Sequence, residues 1–210
     1  QALALGETLT DSFAYRLTDG RGGFNQTTLT VSIAGTNDAP VISLTGGNTA
    51  SSLLIESDTN LSASGTLTIT DVDLTNTVSA QVASVSAVGD TNGISNSSLL
   101  SMLTVTSGAV ITSSTTTGTL TWTFNSSSQP FDYLESGEQL VLNYIVRTTD
   151  SSGATDNRTV SITITGSNDD PFLGMASSEY EQAIIDYSNV LQSHAGISIT
   201  ARTITGGVLS

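Results

Sequence analysis

Gly65-Thr-Leu-Thr-Ile-Thr70 alternates apolar and polar residues with a period of two, and Gly118-Thr-Leu-Thr-Trp-Thr-Phe124 does the same. Successive side chains leave a strand on opposite sides, so the pattern predicts strands with one buried face. Gln139–Val146 and Arg158–Ile164 read the same way. Turn chemistry lies between such runs, at Asp90-Thr-Asn-Gly93, Ser151-Ser-Gly153 and Asp19-Gly-Arg-Gly-Gly23. About seven to nine short strands with turns between them predict an all-β fold, an antiparallel β-sandwich. From Val88 to Thr117 the chain is rich in Ser, Thr and Gly and poorly periodic. An extended loop or hairpin laid over the sandwich is expected there. Ser178 followed by Glu181 fits a capping box, and Tyr180, Ile184 and Tyr187 share a helical face. A short helix near 178–191 is therefore expected, with a strand over Ile197–Ile204.

Two stretches match without gaps at an offset of 131, the separation of Asn37 and Asn168. The offset pairs Gly6 with Gly137, Glu7 with Glu138, Leu9 with Leu140, Arg16 with Arg147, Asp19 with Asp150 and Pro40 with Pro171. Residues 1–40 thus read as the tail of one repeat and 41–171 as a complete repeat. Residues 172–210 do not match the start of that repeat; they read as a partial module that could complete residues 1–40 of a neighbouring chain.

Composition narrows the function classes. Hydrophobic residues make up 37% of the 210 and aromatics 5%, which suits thin sandwiches with small cores. The formal net charge is −14, and all five basic residues are arginines. Such a chain repels nucleic-acid phosphates and acidic headgroups. No run reaches about 18 apolar residues, so no membrane insertion is expected. Without cysteine there is no disulfide, thiolate site or Cys nucleophile. The N-terminal residues lack the basic flank of a signal peptide, so the chain reads as a piece of something longer.

The carboxylates are grouped: Asp19 at a turn, Asn37-Asp38 before a proline, Glu56-Ser-Asp58, and Asp71-Val-Asp73. In a strand-like Asp-x-Asp both side chains leave on one side, where a divalent cation turns their repulsion into attraction. Ca²⁺ takes roughly six to eight oxygens from carboxylates, amides and carbonyls. The same residue types also make ordinary turns, and that reading stays open. Glu7 and Glu138 read as turn caps in preference to ligands.

Phe131-Asp-Tyr-Leu-Glu-Ser-Gly-Glu138, Asp150-Ser-Ser-Gly153 and Val160–Asp169 before Pro171 resemble the VCBS repeat of giant bacterial surface proteins, a relative of cadherin-like repeats. Ala4–Glu7, Phe13-Ala-Tyr15, Asp19-Gly20 and Gly35–Pro40 carry the same resemblance in the first copy. Tyr180–Ile184, Tyr187–Asn189 and Arg202–Ile204 more weakly resemble part of another bacterial cadherin-like repeat. The resemblance implies tandem sandwich modules with Ca²⁺ in the junctions. By position, the first junction would use Asn37, Asp38, Glu56, Asp71 and Asp73, with Asp19 from the preceding module. The second would use Asp150, Asn168, Asp169 and Asp170, with Glu179 and Glu181 as substitutes for an absent Asp-x-Asp.

Catalysis is not expected: His194 is the single histidine, and no nucleophile elbow, phosphate loop or zinc motif occurs. The expected function is a calcium-rigidified structural or adhesive repeat of a secreted or cell-surface bacterial protein. Its partners would be neighbouring repeats, other copies of itself, or a surface glycan or protein receptor. Two rivals stand beside it. One is a subunit of an extracellular filament joined by strand complementation. The other is a carbohydrate- or protein-binding module using the 88–117 segment.

Overall fold

The structure, a computed structural model, describes residues 3–57 and 59–168, and the backbone of 204–205 and 208–209. The chain divides into two compact units, 1–169 and 170–210. In the second, β12 (Ile204–Thr205) pairs antiparallel with β13 (Val208–Leu209). The expected helix near 178–191, most of the expected strand over 197–204 and the partial module assigned to 172–210 lie outside the described residues.

The first unit opens with a hairpin, β1 (Thr8–Thr18) against β2 (Phe24–Ala34), antiparallel from Thr8↔Ala34 to Thr18↔Phe24. A linker then leads into a nine-stranded module. Its strands are β3 (Val41–Ser43), β4 (Ser51–Ile55), β5 (Ser62–Thr70), β6 (Val78–Val88), β7 (Leu103–Val105), β8 (Ala109–Ile111), β9 (Thr117–Asn125), β10 (Gln139–Asp150) and β11 (Thr155–Thr165). One sheet has the order β3-β5-β9-β7 and the other β4-β11-β10-β6-β8. This is the strand order of an immunoglobulin-type sandwich, with its first strand shared between the sheets. The pairings are antiparallel except one: β4 runs parallel to β11, Ser51↔Ser161 to Ile55↔Thr165. Residues 44–50 carry the chain from one sheet to the other without reversing it, so β4 meets β11 in the same direction.

The alternating runs put their apolar residues between the sheets. Leu67 and Ile69 of β5 and Leu120, Trp122 and Phe124 of β9 are buried opposite Leu140, Leu142, Tyr144 and Val146 of β10. The Trp122 indole N–H donates to the Thr49 carbonyl at 2.8 Å, so its one polar atom is satisfied. Gly65 lies across from Trp122, and a Cβ there would come within 2.5 Å of the indole.

The 88–117 segment is not a loop laid over the sandwich. It holds a short helix, α1 (Asn96–Ser101), capped by Ser95, whose Oγ accepts from the Ser98 N–H. Strand β7 then joins one sheet and β8 the other. Leu99, Met102, Leu103 and Ile111 are buried core residues, and the Tyr144 hydroxyl donates to the Leu99 carbonyl at 2.9 Å. Short apolar pairs among many Ser and Thr carry too little periodicity to announce these elements; the core they fill fixes them. Among the described residues no helix is long and apolar enough to cross a membrane.

Candidate metal centre

The linker Asn37-Asp38-Ala39-Pro40 ends on a buried proline, which anchors the entry of β3. The pairing Val41↔Thr70 places the end of β5 beside that entry. The chain there continues as Asp71-Val72-Asp73, with both aspartates buried and Val72 exposed. The Asp73 N–H donates to Asp71 Oδ1 at 3.0 Å, an Asx-type turn. The linker closes over it: the Asp38 N–H donates to Asp73 Oδ2 at 2.8 Å. Asn76 Nδ2 donates to Asn37 Oδ1 at 2.8 Å and reaches Asp73 Oδ2 at 3.4 Å. Strand β10 brings the fourth carboxylate, because Asp150 pairs with Val78 at the start of β6. Asp150 Oδ2 accepts from Asn37 Nδ2 at 2.8 Å, while its Oδ1 accepts the N–H groups of Ser152 and Ala154 in its own turn.

Four carboxylates, Asp38, Asp71, Asp73 and Asp150, therefore share one seam with the amides of Asn37 and Asn76. Every hydrogen bond just described reaches them from a neutral donor. Two oxygens, Asp71 Oδ2 and Asp73 Oδ1, are buried and accept no hydrogen bond. An orphaned buried acceptor costs about 1–3 kcal/mol, and more when charged. Burial pushes the Asp71 carboxyl above its ordinary 3.8, and the charges of Asp73, Asp150 and Asp38 push the same way against the Asp73 N–H bond. Among the described residues no three acids are drawn around a single point. The seam's unsatisfied acceptors are thus on Asp71 and Asp73. Carboxylate and amide oxygens are the donor type that hard divalent cations take, and of those here Asp71 Oδ2 and Asp73 Oδ1 are the two buried ones without a partner.

The positions regroup the expected ligands. Asp150, assigned above to the second junction, belongs to the first seam. Glu56, assigned to the first, lies at the opposite pole, because β4 runs parallel to β11 and ends where β11 ends. There Glu56 Oε1 accepts from the Ser167 N–H at 2.7 Å and Oγ at 2.6 Å, and its buried Oε2 has no partner. Asn168 follows in a shallow groove with Tyr133 and Leu134. Asp169 and Asp170 lie outside the described residues. Asp19 is not near the linker: it sits at the tip of the β1–β2 hairpin, eleven strand residues from the base, about 35 Å away. Its Oδ1 accepts the N–H groups of Arg21 and Gly23, the same i+2 and i+4 pattern as Asp150. Asn76 and Ser151 escaped the sequence reading; Ser151 Oγ donates to Asn76 Oδ1 at 3.1 Å. The one available signal was an Asn three residues after the Asp-x-Asp.

Glu7 and Glu138 are turn caps. Glu7 Oε2 accepts the Ala4 N–H and Glu138 Oε2 the Glu135 N–H, both at 3.0 Å. The preceding Gly6 and Gly137 have φ of 85° and 86°, a region that excludes most side chains.

No family model matches the chain, and no curated protein matches it. Among solved structures it is similar to the CooA pilin subunit from enterotoxigenic Escherichia coli, at 12% identity and a TM-score of 0.39 over 63% of this chain and 100% of that one. A PapD-like domain of human CEP192 gives 8% identity and 0.35 over 64% and 89%. AggA, the major subunit of aggregative adherence fimbriae type I from Escherichia coli, gives 12% and 0.32 over 62% and 97%.

Proposed function

We propose that residues 41–168 form a calcium-stiffened module in a tandem array of an extracellular bacterial surface protein, with a structural or adhesive role and no catalysis. The observation that carries this reading is the pair of buried, unpartnered oxygens Asp71 Oδ2 and Asp73 Oδ1 behind the linker Asn37-Asp38. Left alone, the seam gathers like charge away from water. A bound Ca²⁺ would supply the opposite charge and complete its shell from Asp38, Asp71, Asp73, Asp150, Asn37 and Asn76. The linker contributes to that shell, so holding the ion means holding the linker against the module. A hinge between repeats then becomes a rigid joint. At the other pole Glu56 Oε2 is likewise buried without a partner. The resemblance to VCBS repeats supports the same assignment.

The test is a thermal melt and an X-ray scattering profile of the chain in calcium and in EDTA. Calcium is expected to raise the melting temperature and to narrow the distribution of shapes. Identical curves in both buffers would remove the reading.

A second reading, a subunit of a self-assembling filament, is favoured by the hairpin β1–β2, none of whose strand residues is buried. An uncovered ribbon with two free edges invites strand addition from another chain. Concentration-dependent polymers seen by electron microscopy would support it, and a monodisperse monomer would not.

A further inference from the structure

The hairpin and the last two strands of the module are copies of one another with opposite burial. Odd-numbered residues share one face of the hairpin, by the register Leu9↔Ile33 and Phe13↔Leu29. That face carries Leu9, Phe13, Tyr15 and Leu17 on β1 and Leu29, Val31 and Ile33 on β2, each 40–72% exposed. Their counterparts 131 residues on are Leu140, Tyr144, Val146, Thr148, Val160, Ile162 and Ile164, each 0% exposed. The backbone does not differ in kind: both ribbons are antiparallel, and both carry the same Glu-capped turn at the base and the same Asp-capped turn at the tip. What differs is the cover. In the module, the β3-β5-β9-β7 sheet and α1 lie over this face, β6 pairs along β10, and β4 pairs along β11.

The inner faces are not interchangeable, however. Asp11 stands where the module has the fully buried Leu142, Tyr15 where it has Val146, and Leu17 where it has Thr148. A carboxylate moved into that position needs a hydrogen-bond donor or a positive charge opposite it. A tyrosine in place of valine needs a smaller residue across from it.

We propose that β1–β2 is the closing ribbon of a second sandwich of this repeat, and that its bare face is covered by a segment joined ahead of Leu3 with the architecture of residues 41–133. That segment carries a basic or other hydrogen-bond-donating side chain over Asp11 and a smaller residue opposite Tyr15. It is therefore not a copy of residues 41–133 themselves, and a second molecule of this chain is not the matched occupant. The inference goes beyond the calcium reading and stands or falls without it.

The test keeps the full chain and places residues 41–133 directly ahead of Leu3, the register that precedes Leu134 in the module. Amide hydrogen exchange over residues 8–34 is compared with that of the chain alone. A triple variant, Asp11→Leu, Tyr15→Val and Leu17→Thr, gives the hairpin the inner residues of β10 except at Phe13, which stands in the place of Tyr144. The triple variant is expected to slow hairpin exchange at least tenfold in the extended protein, the native hairpin to gain less, and Phe13→Asp to abolish the gain in both. Hairpin amides that exchange equally fast in the extended protein and in the chain alone, for native and triple variant alike, would overturn the ribbon assignment. Equal protection of the two would overturn the requirement for a donor over Asp11. Sedimentation of the chain alone completes the test: a dimer dispersed by Phe13→Asp would hand the face to a second copy and overturn the proposal.

Discussion

At the scale of single residues, the seam is a set of carboxylates that the fold holds together against their own repulsion. Asp71 illustrates the consequence. Its carboxyl is held above 3.8 chiefly by burial, so the folded protein binds that proton more tightly than the unfolded chain. Stability without calcium then falls as pH rises from 3.8 through the raised value, and the full deficit is present above it. Urea midpoints measured in EDTA should therefore be higher in mildly acidic buffer than at neutral pH. With calcium the order should reverse, because metal and proton compete for the same oxygens. Asp71→Asn removes the buried charge, so the EDTA form should melt higher than wild type. The same substitution should remove most of the calcium-induced gain, about 2.7 kcal/mol when the ion is at 100 times its Kd. Differential scanning calorimetry in the two buffers checks both halves.

At the scale of elements, the alternating runs named β5, β9, β10 and β11 directly, because a period of two with Thr on the outer face and Leu, Ile, Trp or Phe on the inner face has one simple reading. The 88–117 segment was not legible in the same way. Its elements are short and its core residues, Leu99, Met102, Leu103 and Ile111, are scattered among Ser and Thr. Leu99→Ala should cost about 2–5 kcal/mol, the range for emptying a buried leucine, where a surface loop would lose almost nothing. Chemical denaturation measures the difference. Gly65→Ala should cost about 1–3 kcal/mol, because its methyl would drive into the Trp122 indole, which is packed on all sides. A shift of the tryptophan fluorescence in the folded protein would accompany that loss.

At the scale of the whole molecule, repetition organises the chain. The turns at Glu7 and Glu138 and those at Asp19 and Asp150 are superimposable in their hydrogen bonds, yet only one of the two ribbons has a core to close. The candidate site was half legible at this scale. Asn37, Asp38, Asp71 and Asp73 were named together from their spacing and the resemblance, and the fold unites them. Asp150 and Glu56 were assigned to each other's pole. Chain order suggests that an early residue serves the first joint and a late one the second. The sandwich brings the late Asp150 back to the entry and carries the early Glu56 to the exit.

Taken alone, the sequence determined the β character, the internal copy, the acidic grouping and the turns, because these depend on period, composition and short-range backbone chemistry. Tertiary structure alone decided that β4 runs parallel to β11, that 96–111 builds core, and which acids meet across the seam. Those outcomes follow from how strands far apart in the chain pair and cover one another, and no local pattern carries that information.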